Sequence, residues 1–104
     1  MPTSVEAYEG IMEILSPICD VTSRKMMGEY LLYYRGKLFG GIYDDRLMVK
    51  VTPSSREMLS GCDMVPPYEG AKAMLVVDEA DTEMLTELIA MMYEELPSKR
   101  TRSR

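Results

Sequence analysis

Histidine and tryptophan are absent from this chain of 104 residues, which has a single phenylalanine and two cysteines. Without histidine there is no Ser-His-Asp or Cys-His nucleophile and no imidazole ligand for a metal ion. Cys19 and Cys62 alone cannot close a four-ligand zinc site. The glycines form neither a GxGxxG nor a GxxxxGKS or GxxxxGKT phosphate-binding loop. We therefore expect no catalytic residues, no cofactor and no metal, and we predict that the chain is not an enzyme.

Long apolar segments are also missing. No apolar run approaches the roughly 20 residues that span a bilayer, and the acidic start of the chain lacks the basic region of a secretory signal. We therefore expect a cytoplasmic protein that does not engage a membrane. Thiols stay reduced in the cytoplasm, so Cys19 and Cys62 are interpreted as small buried hydrophobic residues, with a redox pair as the alternative.

The charges are distributed unevenly along the chain. Residues 1–98 contain 8 Lys or Arg against 17 Asp or Glu, and four basic residues follow: Lys99, Arg100, Arg102 and Arg104. The length and this division predict one domain over residues 1–98 and a basic disordered tail over residues 99–104. An acidic body repels phosphate backbones, so nucleic acid is a disfavoured partner, although the basic tail keeps it as an alternative.

Helical signals occur at both ends of the domain. Thr3 and Glu6 have the spacing of a capping box, which predicts a first helix ended by Pro17. Its apolar stripe consists of Val5, Tyr8, Ile11, Met12 and Leu15. Thr52-Pro53 predicts the start of a short helix. A final helix is expected to start within Asp78–Asp81, and its apolar side consists of Leu85, Leu88, Ile89, Met92 and Leu96.

The region between the helices has the pattern of an antiparallel sheet. Arg35-Gly36 and Asp44-Asp45 are turn signals that divide an apolar-rich stretch, about residues 22–51, into a meander. Ala73–Val77 is predicted as one more strand. We therefore predict an α+β fold of two layers, in which the N-terminal and C-terminal helices pack on an antiparallel sheet.

Two-residue turns also predict the register of the meander, with Tyr33 opposite Leu38, Leu32 opposite Phe39 and Ile42 opposite Leu47. Because side chains alternate between the faces of a sheet, one face is predicted to be the core: Leu31, Tyr33, Leu38, Gly40, Ile42, Leu47, Val49 and Val51. The other, which we call the mixed face, is the candidate interaction face: Tyr30, Leu32, Tyr34, Lys37, Phe39, Tyr43, Arg46, Met48 and Lys50. A slip of one residue would exchange the two faces.

Three interpretations of the mixed face remain open. In the first, it is a surface for self-association, where Tyr, Met and Arg are typically enriched. In the second, it is covered by a helix or by the tail, with the ends of Lys and Arg reaching water. In the third, it is a platform on which bases of single-stranded nucleic acid stack, which requires aromatic residues among positive charges.

Several residues of this region also form a recognisable pattern: Arg24, Met26-Met27-Gly28, Tyr30, Leu32-Tyr33, Gly36, Phe39, Asp44-Asp45-Arg46-Leu47, Lys50 and Pro67-Tyr68. From about Ser23 to Tyr68 the chain resembles the N-terminal domain of the TfoX/Sxy family, bacterial proteins first associated with regulation of natural competence. The resemblance implies a two-layer fold with an antiparallel sheet, similar to type III secretion chaperones. It also implies a regulatory domain with no established catalytic residues.

The expectation that follows is a stand-alone domain of this kind that acts in regulation through protein contacts. Its partner is unknown, and a second copy of the chain is one candidate. The alternative is a nucleic-acid-associated regulator that uses the basic tail and the mixed face.

Overall fold

The computed structural model describes residues 3–78 and 80–96. Three helices lie within this part of the chain: α1 (Val5–Leu15), α2 (Pro53–Met58) and α3 (Thr82–Glu95). Its six strands are β1 (Val21–Met26), β2 (Glu29–Tyr34), β3 (Lys37–Tyr43), β4 (Arg46–Val49), β5 (Met64–Val65) and β6 (Met74–Val76). The predicted tail, residues 99–104, lies outside the described residues.

All the described strands belong to one antiparallel sheet in the order β1-β2-β3-β4-β6-β5. Side chains from the three helices pack with one face of this sheet in a common core. The predicted two-layer α+β fold is therefore confirmed. Within the described ranges, no helix combines the length and the apolar character that crossing a bilayer requires.

Three two-residue turns join β1, β2, β3 and β4. They are Met27-Gly28, Arg35-Gly36 and Asp44-Asp45, and all six residues have positive φ, between 52° and 85°. Turns with two residues of positive φ match the twist of paired strands, which is why they connect tight hairpins. The turns at Arg35-Gly36 and Asp44-Asp45 confirm the prediction. The turn at Met27-Gly28 adds a hairpin that the sequence analysis missed.

A β-bulge changes the register that we predicted between β2 and β3. Tyr33 lies opposite Leu38, as expected, but the register then shifts and Leu32 pairs with Gly40. The predicted pairing of Leu32 with Phe39 is therefore wrong. A bulge sets two residues of one strand against one of its neighbour, so the alternation of side chains is interrupted there.

Glycines at positions 40 and 41 allow the strands to approach closely at the bulge. A Cβ atom on Gly40 would lie 2.2 Å from the Met48 carbonyl oxygen, and one on Gly41 would lie 2.5 Å from the Tyr30 carbonyl oxygen. No other residue type would fit without moving the backbone. Beyond the bulge, Ile42 pairs with Leu47, and this part of the predicted register is confirmed.

The helix-covered face of the sheet carries the main core. The predicted apolar side of α3 is buried there, together with these sheet residues: Tyr30, Leu32, Phe39, Ile42, Leu47, Val49 and Leu75. Leu31, Tyr33, Leu38 and Val51 were predicted in the core, but none of them is buried. For Leu31, Tyr33 and Leu38 the bulge explains the error, because β2 and the first half of β3 present the opposite side chains from those that an unbroken register gives. Val51 lies beyond the end of β4 and is 36% exposed.

The start of α1 differs from the predicted capping box. Ser4 is the N-cap, and its hydroxyl accepts a hydrogen bond from the Ala7 N–H at 3.1 Å. Thr3 is buried, and its hydroxyl donates to the Glu29 carboxylate at 2.6 Å. The Thr3 N–H donates to the Gly28 carbonyl at 3.0 Å. Thr3 therefore fastens α1 to the β1–β2 hairpin, and the residue after it takes the capping role.

The two cysteines have different surroundings. Both are free thiols; Cys19 is exposed and Cys62 is half-buried. The interpretation of Cys19 as a buried hydrophobic residue is therefore wrong, because this residue lies in the turn between α1 and β1 rather than in either element.

Candidate functional site

The face of the sheet opposite the helices, which we call the outer face, carries a groove of about 460 Å³. Leu31, Leu38, Gly40 and Met74 are among the residues that line it from the strands. Residues 66–73, which connect β5 to β6, contribute a wall that contains Pro67, Tyr68 and Lys72. The groove is therefore apolar where the sheet forms it and mixed where the connection forms it.

A small second core lies under the outer face. Tyr43, Met48 and Val76 are buried there, with Leu31, Val65 and Met74 packed against them. The ring of Tyr68 lies 6.2 Å from that of Tyr43 and is itself 63% exposed. Burial raises the pKa of the Tyr43 hydroxyl, and the neighbouring Tyr68 adds to this shift. Tyr43 is therefore a neutral, fixed part of the groove.

Five residues of the predicted mixed face lie on the helix-covered face instead: Tyr30, Leu32, Tyr34, Lys37 and Phe39. Leu32 and Phe39 are 0% exposed. The ring of Tyr30 stacks on Tyr8 of α1 at 4.0 Å, and the ring of Tyr34 meets Tyr93 of α3 edge-on at 5.6 Å. For these five residues, coverage by helices is the interpretation that the structure supports.

Lys37 has a defined role at the end of α3. Its ammonium group donates a hydrogen bond to the Tyr93 carbonyl at 2.7 Å and lies 4.1 Å from the centre of the Tyr93 ring. The last turn of α3 contains no basic residue. Lys37 therefore supplies, from the sheet, the positive charge that favours a helix C-terminus.

The other four residues of the mixed face remain on the outer side. Tyr43 and Met48 are buried in the second core, Lys50 lines the groove, and Arg46 is exposed opposite Tyr43 in the ladder. The structure thus divides the mixed face at the bulge. Contact of these four residues with a partner stays a prediction.

The lining of the groove contains two lysines and one glutamate, so positive side chains outnumber negative ones in a domain that is acidic as a whole. Lys50 and Lys72 both line the groove. Over residues 3–78 and 80–96, the ion pair that forms is Arg35 with Asp20, and neither lysine takes part in one. Lysine ammonium groups at an apolar groove are therefore available to a partner.

Glu95 is the acidic residue in the lining of the groove, but its carboxylate is engaged elsewhere. It accepts hydrogen bonds from the Ser54 N–H at 3.1 Å and the Ser54 hydroxyl at 2.5 Å. The bond from the Ser54 hydroxyl is the main reason why the pKa of Glu95 is lowered. This carboxylate links α3 to the start of α2. It keeps its negative charge, but among the described residues it forms no ion pair with either lysine.

Met26 and Met27 extend the apolar surface beyond the groove. Met26 lines the groove and is 50% exposed, whereas Met27, at the tip of the β1–β2 hairpin, is 94% exposed. In the sequence, Met26 and Met27 belong only to the pattern that resembles the family. The Met-Gly pair before an apolar strand was the signal for a turn, and thus for an exposed Met27.

Other features of the described residues offer less chemistry. No group of three or more Cys, Asp or Glu residues in the described ranges is arranged to hold a metal ion. A second depression, at the start of α2, is lined by only five residues, among them Arg56 and Glu57. Its opposite charges and few apolar side chains make it a weaker candidate than the groove.

Comparison with known proteins identifies one family. A sequence model of the TfoX N-terminal domain matches residues 13–99. An uncharacterized 12.7 kDa protein in the 5′ region of trpE from Spirochaeta aurantia is 29% identical over 104 residues, which cover 98% of this chain and 90% of the relative. No solved structure matches the chain, and the expected similarity to type III secretion chaperones stays a prediction.

Proposed function

Since the chain belongs to the TfoX N-terminal domain family, we propose that it acts in regulation by binding another protein through the outer face of its sheet. The family is regulatory and is not known for catalysis. Family inference alone suggests the regulated process, natural competence being the one first associated with the family. A cytoplasmic location is part of the same proposal.

The observation that carries the proposal is the apolar groove on the outer face. Leu31 and Leu38 point away from the helices, and both are only half-buried. An antiparallel sheet with one solvated face normally places polar residues there. An apolar groove with a polar rim is instead typical of a surface that receives a partner.

Protein is a better partner for this groove than single-stranded nucleic acid. Stacking of successive bases needs several exposed aromatic faces, but of the two tyrosines that line the groove Tyr43 is buried and only Tyr68 is largely exposed. The surface around the groove belongs to a domain in which acidic residues outnumber basic ones by about two to one. Such a domain repels phosphate backbones.

Capture of partners from the native host by variant proteins tests the proposal. Leu38→Asp places a charge in the groove, and Met91→Asp places the same charge on α3, where the side chain is also partly exposed. We expect the host protein that the wild type captures to be lost by Leu38→Asp and kept by Met91→Asp, with circular dichroism unchanged in both. Equal capture by the two variants would contradict the proposal.

A further inference from the structure

The charges at the rim indicate the chemistry of the partner. We propose that the groove of the outer face binds a protein segment in which acidic side chains lie beside apolar ones. This inference rests on the proposed function and names the class of partner for the same site.

Charge complementarity is the first argument. Lys50 and Lys72 line the groove and have no ion pair among the described residues. They outnumber the carboxylate of the lining, that of Glu95, which is hydrogen-bonded to Ser54. The rest of the domain is strongly acidic, so the groove is a local exception. Opposite charges at a rim raise the rate of association and reject partners of the same sign. An acidic segment satisfies both lysines.

The floor of the groove supplies the second argument. Leu31, Leu38 and Met74 leave apolar surface open there. A polar or purely acidic segment would cover this surface only by desolvating its own polar groups against apolar side chains. Apolar side chains between the acidic ones are therefore required for a stable complex.

The tip of the β1–β2 hairpin adds exposed apolar surface beside the groove. Met27 has a φ of 53° and its side chain is 94% exposed. Asn, Asp or Gly is the usual choice at this turn position, because other side chains are strained there. Since its neighbour Met26 lines the groove, Met27 extends the apolar contact area towards the tip.

Two other occupants are disfavoured by charge. Two copies of the chain joined by a two-fold axis would place the same basic rim on both sides of the contact. The segment that follows Leu96 in this chain carries Lys99, Arg100, Arg102 and Arg104, and so has the same sign as the rim. An acidic segment of another protein meets neither objection.

Fluorescence anisotropy with designed peptides tests the inference on the full chain. The probe is a labelled peptide of about eight residues in which Leu and Glu alternate, a length that spans about 26 Å when extended. Peptides with Ser or Lys in place of every Glu are matched controls. We expect the Leu-Glu peptide to bind at least about tenfold more tightly than either control, and its affinity to fall as salt is added.

Charge-reversal variants locate the binding. Lys50→Glu combined with Lys72→Glu is expected to weaken the Leu-Glu peptide about tenfold or more. Lys25→Glu makes one such reversal on the β1 residue that pairs with Tyr30, and therefore on the helix-covered side of the sheet. It is compared with each single variant, Lys50→Glu or Lys72→Glu, as well as with the double one. This control is expected to change the affinity less than about twofold.

Each contrary outcome has a distinct meaning. If the Leu-Ser and Leu-Glu peptides bind with equal affinity and Leu38→Asp abolishes the binding of both, the acidic character of the partner is wrong, but the proposed function stands. The inference is also overturned if no peptide binds, or if light scattering shows a dimer that Leu38→Asp dissociates. A single-stranded oligonucleotide that displaces the peptide through the groove overturns both proposals.

Discussion

The helix-covered and outer faces of the same sheet differ in how completely they are packed. On the first, Leu32 and Phe39 have no exposed surface, and the polar ends of Tyr8 and Lys37 have hydrogen-bond partners. On the second, a small core leaves a groove with half-exposed leucines and unpaired lysines. The first face therefore carries the main core, and the second is the face that we propose for recognition.

Adjacent residues on β3 provide the strongest test of this difference. Phe39 is fully buried against the helices, and Leu38 lines the groove on the other side. Phe39→Ala is expected to lower the free energy of unfolding by about 3–5 kcal/mol, because it removes a large side chain from a packed core. Leu38→Ala is expected to cost about 1 kcal/mol, since its side chain is only partly removed from water. Similar losses in urea titrations would contradict the comparison.

Gly40 tests the close strand contacts next to the bulge, which determines which side chains of β2 and β3 lie on each face. A methyl group there would press on the Met48 carbonyl and on the Val49 backbone. Gly40→Ala is therefore expected to destabilise the fold by about 1–3 kcal/mol. Gly10→Ala is the matched control, because nothing lies within 4 Å of its Cβ position in α1. It is expected to stabilise the protein by up to about 1 kcal/mol. A neutral Gly40→Ala in thermal unfolding would count against the close strand contact.

Lys37 tests the contact between sheet and helix. Lys37→Met removes the hydrogen bond to the Tyr93 carbonyl and the charge at the end of α3, and is expected to cost about 1 kcal/mol. Lys25→Met, at an exposed site on the edge strand β1, is expected to change the stability by less than about 0.5 kcal/mol. If both variants unfold at the same urea concentration, the capping role of Lys37 is wrong.

Glu95 produces the smallest effect, and it depends on pH. Hydrogen bonding to Ser54 lowers the pKa of Glu95 in the folded protein. The stabilisation is thus complete above the ordinary pKa of the side chain, and it is lost as pH falls through the lowered value. Glu95→Gln is therefore expected to be less stable than wild type at neutral pH, with a difference that shrinks in acid. Glu94→Gln, at an exposed position, is the control. A difference that does not depend on pH would contradict the assignment.

Much of the fold could be predicted because the local signals agree with the tertiary structure. The apolar side of α3 and the turns at Arg35-Gly36 and Asp44-Asp45 follow directly from spacing and turn chemistry. β5 could not be predicted, since two residues carry no detectable alternation. The cap of α1 was placed one residue early, because Thr3 forms contacts with Gly28 and Glu29 that lie far away in sequence.

The candidate site was harder to predict than the fold, and the bulge is the reason. An unbroken register assigned Tyr30, Leu32 and Phe39 to the interaction face, although all three are buried under the helices. Two consecutive glycines in a strand, Gly40-Gly41, are a signal of a bulge. Given that signal alone, the sequence still does not show on which side of the glycines the register changes. The half-buried leucines of the groove are therefore evident only from the structure.

The most direct test of the central claim is photo-crosslinking in the native host from two positions. A photoreactive amino acid at position 38 lies in the groove, whereas one at position 87 lies on the exposed side of α3. Our account predicts a specific crosslinked protein from position 38 and none from position 87. A host protein that is crosslinked from position 87 and not from position 38 would show that recognition uses the helical layer, and would contradict the assignment of the outer face.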